Sequence, residues 1–277
     1  MSYAYYNGIF GNFDDIKIPL SDRSVFFGDG VYDAAIGRYG KIYQEELHLA
    51  RFFENVKKVG IPVSYSEKEL SDLLLETVKR SSAREFFLYF QATGHLSERL
   101  HAPRDKSKSN LLITVKPFSL HDRQKELDLV SYPDIRQSFC NIKTLNLLGS
   151  VLASERAVSE KCDEAVFVKD GTGTECAHSN IFIVSCGKLI THPANERILP
   201  GITRKTVLLT AKILGIPTEE RPFSLSELFS ADDVLITSTS KLALRAKSLD
   251  GTPISEKKSD AGSAIIDEMF KCYQEFC

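Results

Sequence analysis

The spacing of apolar side chains predicts two amphipathic helices in the first third of the chain. EELHLARFFENVKKVG, residues 45–60, places five apolar side chains on one helical face and ends at Gly60. SEKELSDLLLETVKR begins with Ser66 followed three residues later by Glu69, which is the pattern of a capping box. Two stretches rich in aromatic and branched residues, EFFLYFQAT and NLLITVKPF, predict strands, and VYDAAIGRYGKIYQ predicts two more around Gly40.

A change of composition at KPFSLHDRQ predicts a domain boundary. We expect a small α+β domain over residues 1–117, a linker over 118–123 and a larger α+β domain over 124–277, with a ligand in the cleft between them. The fold class is therefore α+β with two domains.

The second half is predicted to continue as strand, helix and then a meander. In EAVFVKDGTGTECAHSNIFIVSCGKLITHP, Asp170-Gly171 and Cys186-Gly187 are two-residue turn signals. ITRKTVLLTAKILG predicts a helix stopped by Gly215, and DDVLITSTS predicts a strand that runs into hydroxyl residues.

Composition and charge exclude several classes of function. A formal net charge of -2 gives no basic field, so nucleic acid is a poor partner, and no apolar run reaches the ~18–20 residues of a membrane span. The amino terminus lacks the basic flank and apolar core of a signal peptide. The six cysteines show neither CxxC pairing nor a neighbouring histidine cluster, so we expect no metal site, no disulfide framework and a cytoplasmic protein.

One lysine stands alone in an apolar stretch. Lys143, in SFCNIKTLNLLGSVLASERA (residues 138–157), is the only lysine between Lys125 and Lys161. It precedes a stretch of helical spacing, where partial desolvation would make its amine available as a nucleophile or imine partner. Alternatively its stem packs while its head reaches solvent, and spacing alone favours this second interpretation.

Three features could bind an anion. Pro200-Gly201 precedes a helix and leaves the amides of Ile202 and Thr203 at its positive end, which suits phosphate but also describes many ordinary helices. The hydroxyl run TSTS, residues 237–240, could contact the same anion or only cap a turn. Arg51 could clamp an anion from a rigid helix, or be a surface arginine.

Two further segments carry charged side chains. Glu175 in TGTECA could pair with a ring nitrogen or stand on a solvated sheet face. Arg99 and His101 in SERLHAP could bind a carboxylate or lie in a solvated loop. Taken together, an isolated lysine, an anion site and a lone acid are what pyridoxal 5'-phosphate requires.

The motifs DRSVFFGDGVYD, HLAR, YFQAT, IKTLNLLGSVLA, THPANERILPGITR and TSTS resemble those of the fold-type IV pyridoxal-phosphate enzymes, the class IV aminotransferases. The resemblance runs nearly end to end, and it is strongest to the branch that acts on D-amino acids. It implies that Lys143 forms the Schiff base and shuttles the proton, and that Glu175 pairs with the pyridinium nitrogen. It further implies that the remaining cofactor contacts come from Arg51, Leu199, Ile202, Thr203 and Thr239, with Leu199 against the ring and the others at the phosphate.

The resemblance also implies the substrate and the assembly. Tyr32, Arg99 and His101 match the residues that trap the α-carboxylate, and in the family the arginine and histidine reach across from a partner subunit, which implies a homodimer. The expected reaction is transamination between D-amino acids such as D-alanine and 2-oxo acids such as 2-oxoglutarate or pyruvate. The alternatives are an R-selective amine transaminase, an aminodeoxychorismate lyase, a branched-chain aminotransferase or a non-catalytic protein that binds the cofactor.

Two segments depart from the family pattern. Where D-amino acid members have glycine and a run of serines after the acid, this chain has CAHSN with His178. After TST the usual isoleucine–proline pattern is replaced by SKLALR, residues 240–245, which includes Lys241. In the family the first segment lies near the cofactor ring and the second lines the substrate side, so the resemblance does not fix which substrate side chain this protein prefers.

Overall fold

The computed structural model describes residues 2–102, 108–254 and 258–276, and the chain divides into two compact units. The first unit comprises Met1–Ser119 together with Ile142–Asn146, and the second comprises Leu120–Asn141 and Leu147–Phe276. The short segment that carries Lys143 therefore packs with the first unit, although the residues on both sides of it belong to the second. The sequence pattern did not predict this exchange.

The first unit is built on a six-stranded antiparallel sheet in the order β2-β1-β6-β5-β3-β4. Its elements are β1 (Tyr3–Tyr6), β2 (Ile9–Asn12), α1 (Arg23–Phe27), β3 (Gly30–Arg38), β4 (Lys41–Ile42), α2 (Glu45–Val59), α3 (Glu67–Ser81), β5 (Glu85–Gly94) and β6 (Ser109–Pro117). Helices α2 and α3 pack on the sheet and bury Phe52, Leu70 and Phe90 in one core. This core fixes α2, which carries Arg51, against β3, which carries Tyr32.

Local signals of the first unit are confirmed. Ser66 and Glu69 form the predicted capping box at the start of α3, and α2 ends at Gly60 with φ 70°. The four predicted strands are β3, β4, β5 and β6. The five-residue helix α1 has no apolar periodicity of its own and was not predicted.

The second unit contains a ten-stranded mixed sheet. Its elements are β7 (Glu126–Pro133), α4 (Leu148–Ser159), β8 (Glu164–Lys169), β9 (Thr172–Cys176), β10 (Asn180–Ser185), β11 (Lys188–Thr191), α5 (Ile202–Ile213), β12 (Thr218–Glu220), β13 (Phe223–Ser224), α6 (Leu225–Phe229), β14 (Asp233–Ser238), β15 (Leu242–Leu249), β16 (Thr252–Pro253) and α7 (Asp260–Glu275). The strand order is β12-β11-β10-β14-β15-β7-β8-β9-β13, with β16 on β15. Parallel pairs join β7 to both β8 and β15, and β11 to β12.

The predicted meander is wrong, although both of its turns are confirmed. Asp170-Gly171 and Cys186-Gly187 all have positive φ, as two-residue hairpin turns of this type require. However, β9 pairs with β8 and β13, whereas β10 pairs with β11 and β14. Hydrogen bonding to a more distant strand therefore overrides sequential pairing, and the chain turns between Glu175 and β10.

The helices of the second unit differ in how much apolar surface they bury. Helix α5 begins at Ile202 and stops before Gly215, which has φ 70°, as predicted. Helix α4 also forms where its spacing predicts, but it buries only Ala153 and Ala157. Its larger apolar side chains, Leu148, Val151, Leu152 and Val158, are exposed.

Two absences hold for the described residues. None of their helices combines the length and the apolar character needed to cross a bilayer. They contain no group of three or more side chains suited to bind a metal ion.

Candidate active site

The start of β3 holds the backbone around Lys143. The Tyr32 N–H donates to the Lys143 carbonyl at 2.9 Å, and Thr144 forms a bridge with Val31. A Cβ at Gly30 would lie 2.5 Å from Leu145 Cδ1, so only glycine allows this approach. Strand β3 therefore sets the position from which the lysine side chain extends.

The Lys143 ammonium lies against an aromatic ring. Its Nζ is 4.4 Å from the centroid of the Tyr32 ring, which in turn stacks on Tyr89 at 5.2 Å. The side chain is half-buried, and across the described part of the chain no carboxylate forms an ion pair with it. Among the described residues, an aromatic ring and not an acid is therefore the contact of the Lys143 Nζ.

Beside the lysine segment lies a buried ion pair that the sequence did not predict. Arg51 donates to both oxygens of Asp33, from Nε and from Nη2, at 2.8 Å each. His48 Nδ1 lies 2.8 Å from Asp33 Oδ1. Asp33 is fully buried, and its two oxygens fix the guanidinium of Arg51. Arg51 is the residue that the sequence analysis expected to clamp an anion.

The triad of Asp33, Arg51 and His48 determines the ionisation of its own members. Burial favours a raised pKa for Asp33, but the charge of Arg51 and hydrogen bonds from His48 and Arg51 hold the pKa well below its usual range. Burial lowers the pKa of His48, and Arg51 and Lys143 act in the same direction against the opposing effect of Asp33. A neutral His48 donates its Nδ1–H to the carboxylate, so the triad carries no excess negative charge.

In the second unit, Glu175 is not the lone acid that the sequence suggested. It is 5% exposed and forms an ion pair with Arg136, while Asn180 Nδ2 donates to it at 3.0 Å and the Leu199 N–H at 3.1 Å. Arg136 also pairs with Asp134 at 2.8 Å. The sequence analysis missed Arg136 because it lies 39 positions from its partner; the only local signal was its spacing from Asp134.

The start of helix α5 has the features of an anion site. Its N-cap, Gly201, provides no side-chain cap, and a Cβ there would lie 2.1 Å from Asn180 Oδ1. Ile202 and Thr203 are each 6% exposed, so their amides lie at a sheltered, positive helix end. Asn180 bridges this helix start to Glu175, which brings three of the predicted cofactor residues together.

The hydroxyl run at the end of β14 is partly buried. Thr237 Oγ1 is buried and has no hydrogen-bond partner among the described residues, which is uncommon for a native hydroxyl. Thr239, the residue predicted to contact phosphate, is half-buried in the turn that follows. The pattern fits a surface that a polar ligand completes.

The predicted carboxylate trap is divided in this chain. Arg99 and His101 are exposed and both contact the ring of Phe27, whereas Tyr32 contacts Lys143 and Tyr89. No hydrogen bond, ring contact or cation–π contact joins Tyr32 to the other two in the described residues.

His178 and Lys241, which lie in the two segments that depart from the family pattern, contact each other. Lys241 Nζ lies 2.9 Å from Glu164 Oε2 and 3.1 Å from His178 Nε2, while His178 Nδ1 lies 2.9 Å from Glu164 Oε1. Because an ammonium only donates, Nε2 of His178 accepts and its Nδ1–H donates to the carboxylate. Lys241 is buried and neutralised, and only His178 of this cluster presents an exposed side chain, at 55%.

We expect this cluster to make stability depend on pH. Burial acts to raise the pKa of Glu164, but Lys241 and the hydrogen bonds from His178 hold it well below its usual range. A depressed folded-state pKa stabilises the protein above the unfolded value of about 4.3, and this contribution falls as the pH drops toward the folded pKa. The stability difference between wild type and Glu164→Gln should therefore shrink by about 0.6 kcal/mol from pH 7 to pH 4.

Urea unfolding at both pH values measures this difference. Glu76→Gln is the control, since Glu76 pairs with Arg80 at the surface, where losing an ion pair costs only about 0–1 kcal/mol. An equal difference for Glu164→Gln at pH 7 and pH 4 would contradict the assigned ionisation.

Comparison with known proteins places this geometry in a family. A family model described as amino-transferase class IV matches residues 30–249. The chain is 32% identical to the D-alanine aminotransferase of Staphylococcus haemolyticus and 33% identical to that of Staphylococcus aureus, covering 99% of each chain in both cases. Among solved structures, a branched-chain aminotransferase from Thermoproteus uzoniensis superimposes with a TM-score of 0.90 at 23% identity, covering 99% of this chain and 95% of that one. The chain belongs to the class IV aminotransferase family.

Proposed function

We propose that this protein is a pyridoxal-phosphate-dependent aminotransferase that moves the amino group between D-amino acids, such as D-alanine, and 2-oxo acids. The observation that carries the proposal is the full-length similarity to curated D-alanine aminotransferases at 32–33% identity. The branched-chain aminotransferase structure, at 23% identity, supports the fold and not the substrate.

Each unit, taken by itself, has side chains whose chemistry suits the cofactor. Lys143 would hold it covalently through Nζ, Glu175 would face its ring nitrogen, and Leu199 would pack on the ring. The phosphate would be held by Arg51, by the amides of Ile202 and Thr203, and by Thr239. When bound, the cofactor supplies an electron sink that stabilises negative charge at the substrate α-carbon. That residues of both units serve one cofactor is part of this proposal.

The chain itself then supplies binding and proton transfer. Lys143 Nζ would remove the α-proton and return it, and general acid–base catalysis of this kind typically contributes ~100–10,000-fold. Its position against the Tyr32 ring limits hydration of the amine. Glu175, held by Arg136 and Asn180, would keep a negative charge in place for a protonated ring nitrogen.

We also propose a cytoplasmic homodimer. In one chain Arg99 and His101 are exposed and separate from Tyr32, which supports their use by a second copy. The exposed apolar side chains of α4 would be covered by the same association. The cytoplasmic setting rests on the dispersed cysteines and stays a prediction.

A paired assay tests the activity. Pyruvate formation is measured with D-alanine or L-alanine as donor and 2-oxoglutarate as acceptor. The proposal expects turnover of the D form; faster turnover of L-alanine would overturn the assigned stereochemistry, and no turnover of either would favour another reaction of the family.

Replacing Arg99 with alanine should raise the KM for D-alanine by roughly 10- to 100-fold, because a charge-assisted hydrogen bond to the carboxylate contributes about 1.5–3 kcal/mol. Steady-state kinetics over a range of D-alanine concentrations give the value. Arg80→Ala, at a surface ion pair with Glu76 on α3, is the matched control and should leave KM unchanged. An R-selective amine transaminase, which has no carboxylate to bind, would tolerate the loss of Arg99.

A further inference from the structure

We infer that Arg23 is a positioning residue for the carboxylate trap: it fixes the backbone of the segment that presents Arg99 and His101. This inference rests on the proposed function, because it assigns a device to the same substrate site.

Helix α1 is anchored by a buried acid. Asp22 is 1% exposed and caps α1 by accepting from the Ser24 N–H at 2.9 Å. It also accepts from Tyr6, Thr93 and Asn110, at 2.9–3.1 Å, so β1, β5 and β6 all hold it. The first residue of α1 therefore starts from a fixed point of the sheet.

From this point Arg23 reaches the trap segment. Its Nη1 donates to the carbonyl of Leu100 at 2.5 Å and its Nη2 to the carbonyl of His101 at 3.1 Å. Its Nε pairs with Asp29 at 2.5 Å, and the residue is 4% exposed. Burying a guanidinium is costly unless its donors are satisfied, and here two of the partners are backbone carbonyls of an otherwise exposed segment.

The ring of Phe27 completes the support. Phe27 lies one helical turn after Arg23, whose guanidinium carbon is 4.7 Å from the ring centroid. The same ring contacts the Arg99 guanidinium at 5.6 Å and the His101 ring at 5.2 Å. Arg23 thus holds the backbone of the segment while Phe27 contacts its two functional side chains.

The arrangement requires arginine specifically. A planar guanidinium can reach two successive carbonyls and a carboxylate at once, whereas a lysine ammonium is a single compact charge. Gly94 leaves the space, since a Cβ there would lie 3.0 Å from Arg23 Cδ. Arg23→Lys keeps the charge but loses the fork, so it separates positioning from electrostatics.

The test compares Arg23→Lys with wild-type holoenzyme. We expect the KM for D-alanine to rise roughly 10- to 100-fold, the cost of a small misplacement of a binding group, while kcat and the pyridoxal-phosphate affinity from absorbance titration stay near wild type. A second readout needs no turnover: the Kd of propionate, a carboxylate without an amine, should rise by a similar factor in calorimetry.

Phe27→Leu provides a second variant should Arg23→Lys fail to fold, and it should raise the same two constants. The control is Arg84→Lys, at an exposed arginine over the Tyr39 ring. It should behave as wild type.

Unchanged KM and propionate Kd would overturn the inference, and so would a parallel loss of kcat, cofactor affinity and thermal stability, which indicates a purely structural role. If wild type does not turn over D-alanine but binds propionate in a manner that depends on Arg23, the proposed function fails and the inference stands.

Discussion

Replacing Lys143 with alanine should lower kcat for D-alanine and 2-oxoglutarate by at least ~100–10,000-fold, because the variant lacks the base that moves the α-proton. The covalent hold on the cofactor is lost as well, so the measured decrease should lie at or beyond the upper end of that range. Cofactor that stays bound to the variant should then be removable by dialysis, whereas wild type retains it.

Lys116→Ala is the matched control, since Lys116 is also a lysine over an aromatic ring, 5.2 Å from Phe87, but lies exposed on the sheet. It should keep wild-type kcat. Borohydride reduction of the holoenzyme followed by peptide mapping should place the cofactor label on Lys143. A label on another lysine, or a Lys143→Ala variant with near wild-type kcat, would contradict the assignment.

Replacing Asp33 with alanine should lower the free energy of unfolding by about 3–5 kcal/mol, because it breaks a buried ion pair by removing the fully buried carboxylate to which Arg51 donates. His48 loses the same acceptor. Chemical denaturation at pH 7 measures the change, and the apparent Kd of pyridoxal phosphate reports whether Arg51 still binds the phosphate.

Asp72→Ala gives the comparison for this effect. Asp72 pairs with Lys68 on the exposed side of α3, where an ion pair contributes about 0–1 kcal/mol. If the Asp33 and Asp72 variants lost equal free energy of unfolding, the buried triad would stabilise the protein no more than a surface ion pair does.

Much of the fold follows from short-range sequence signals. The capping box at Ser66, the stop at Gly60 and the turn at Asp170-Gly171 depend only on residues within a few positions, so the sequence predicts them well. The pairing of β10 with β14 depends on residues 49 to 57 positions apart, and the meander prediction failed there.

The site divides in the same way. The sequence singles out Lys143, Glu175 and the start of α5 as candidates because each stands out within its own motif. Arg136 and Asp33 were not, because what makes them important is a partner distant in sequence: Glu175 for one, Arg51 for the other. A charged residue that looks isolated in the sequence often has such a partner when it is buried, because burying an unpaired charge costs too much free energy.

Of the two residues considered for an effect on the substrate side chain, Lys241 and His178, only His178 has an exposed side chain. Lys241 donates to Glu164, His178 and Ser179, and is therefore engaged within the protein. His178 is the member of this cluster whose side chain is largely exposed. Substitution there is the direct route to testing which D-amino acid side chain the enzyme accepts.

We propose that this chain, with its cofactor bound, takes the amino group from D-amino acids. A single half-reaction tests this activity: yellow holoenzyme is mixed with D-alanine or L-alanine in the absence of any 2-oxo acid. D-alanine should bleach the colour and release pyruvate in proportion to enzyme sites, with little change for the L form. Bleaching by L-alanine in preference, or persistence of the colour with both, would contradict it.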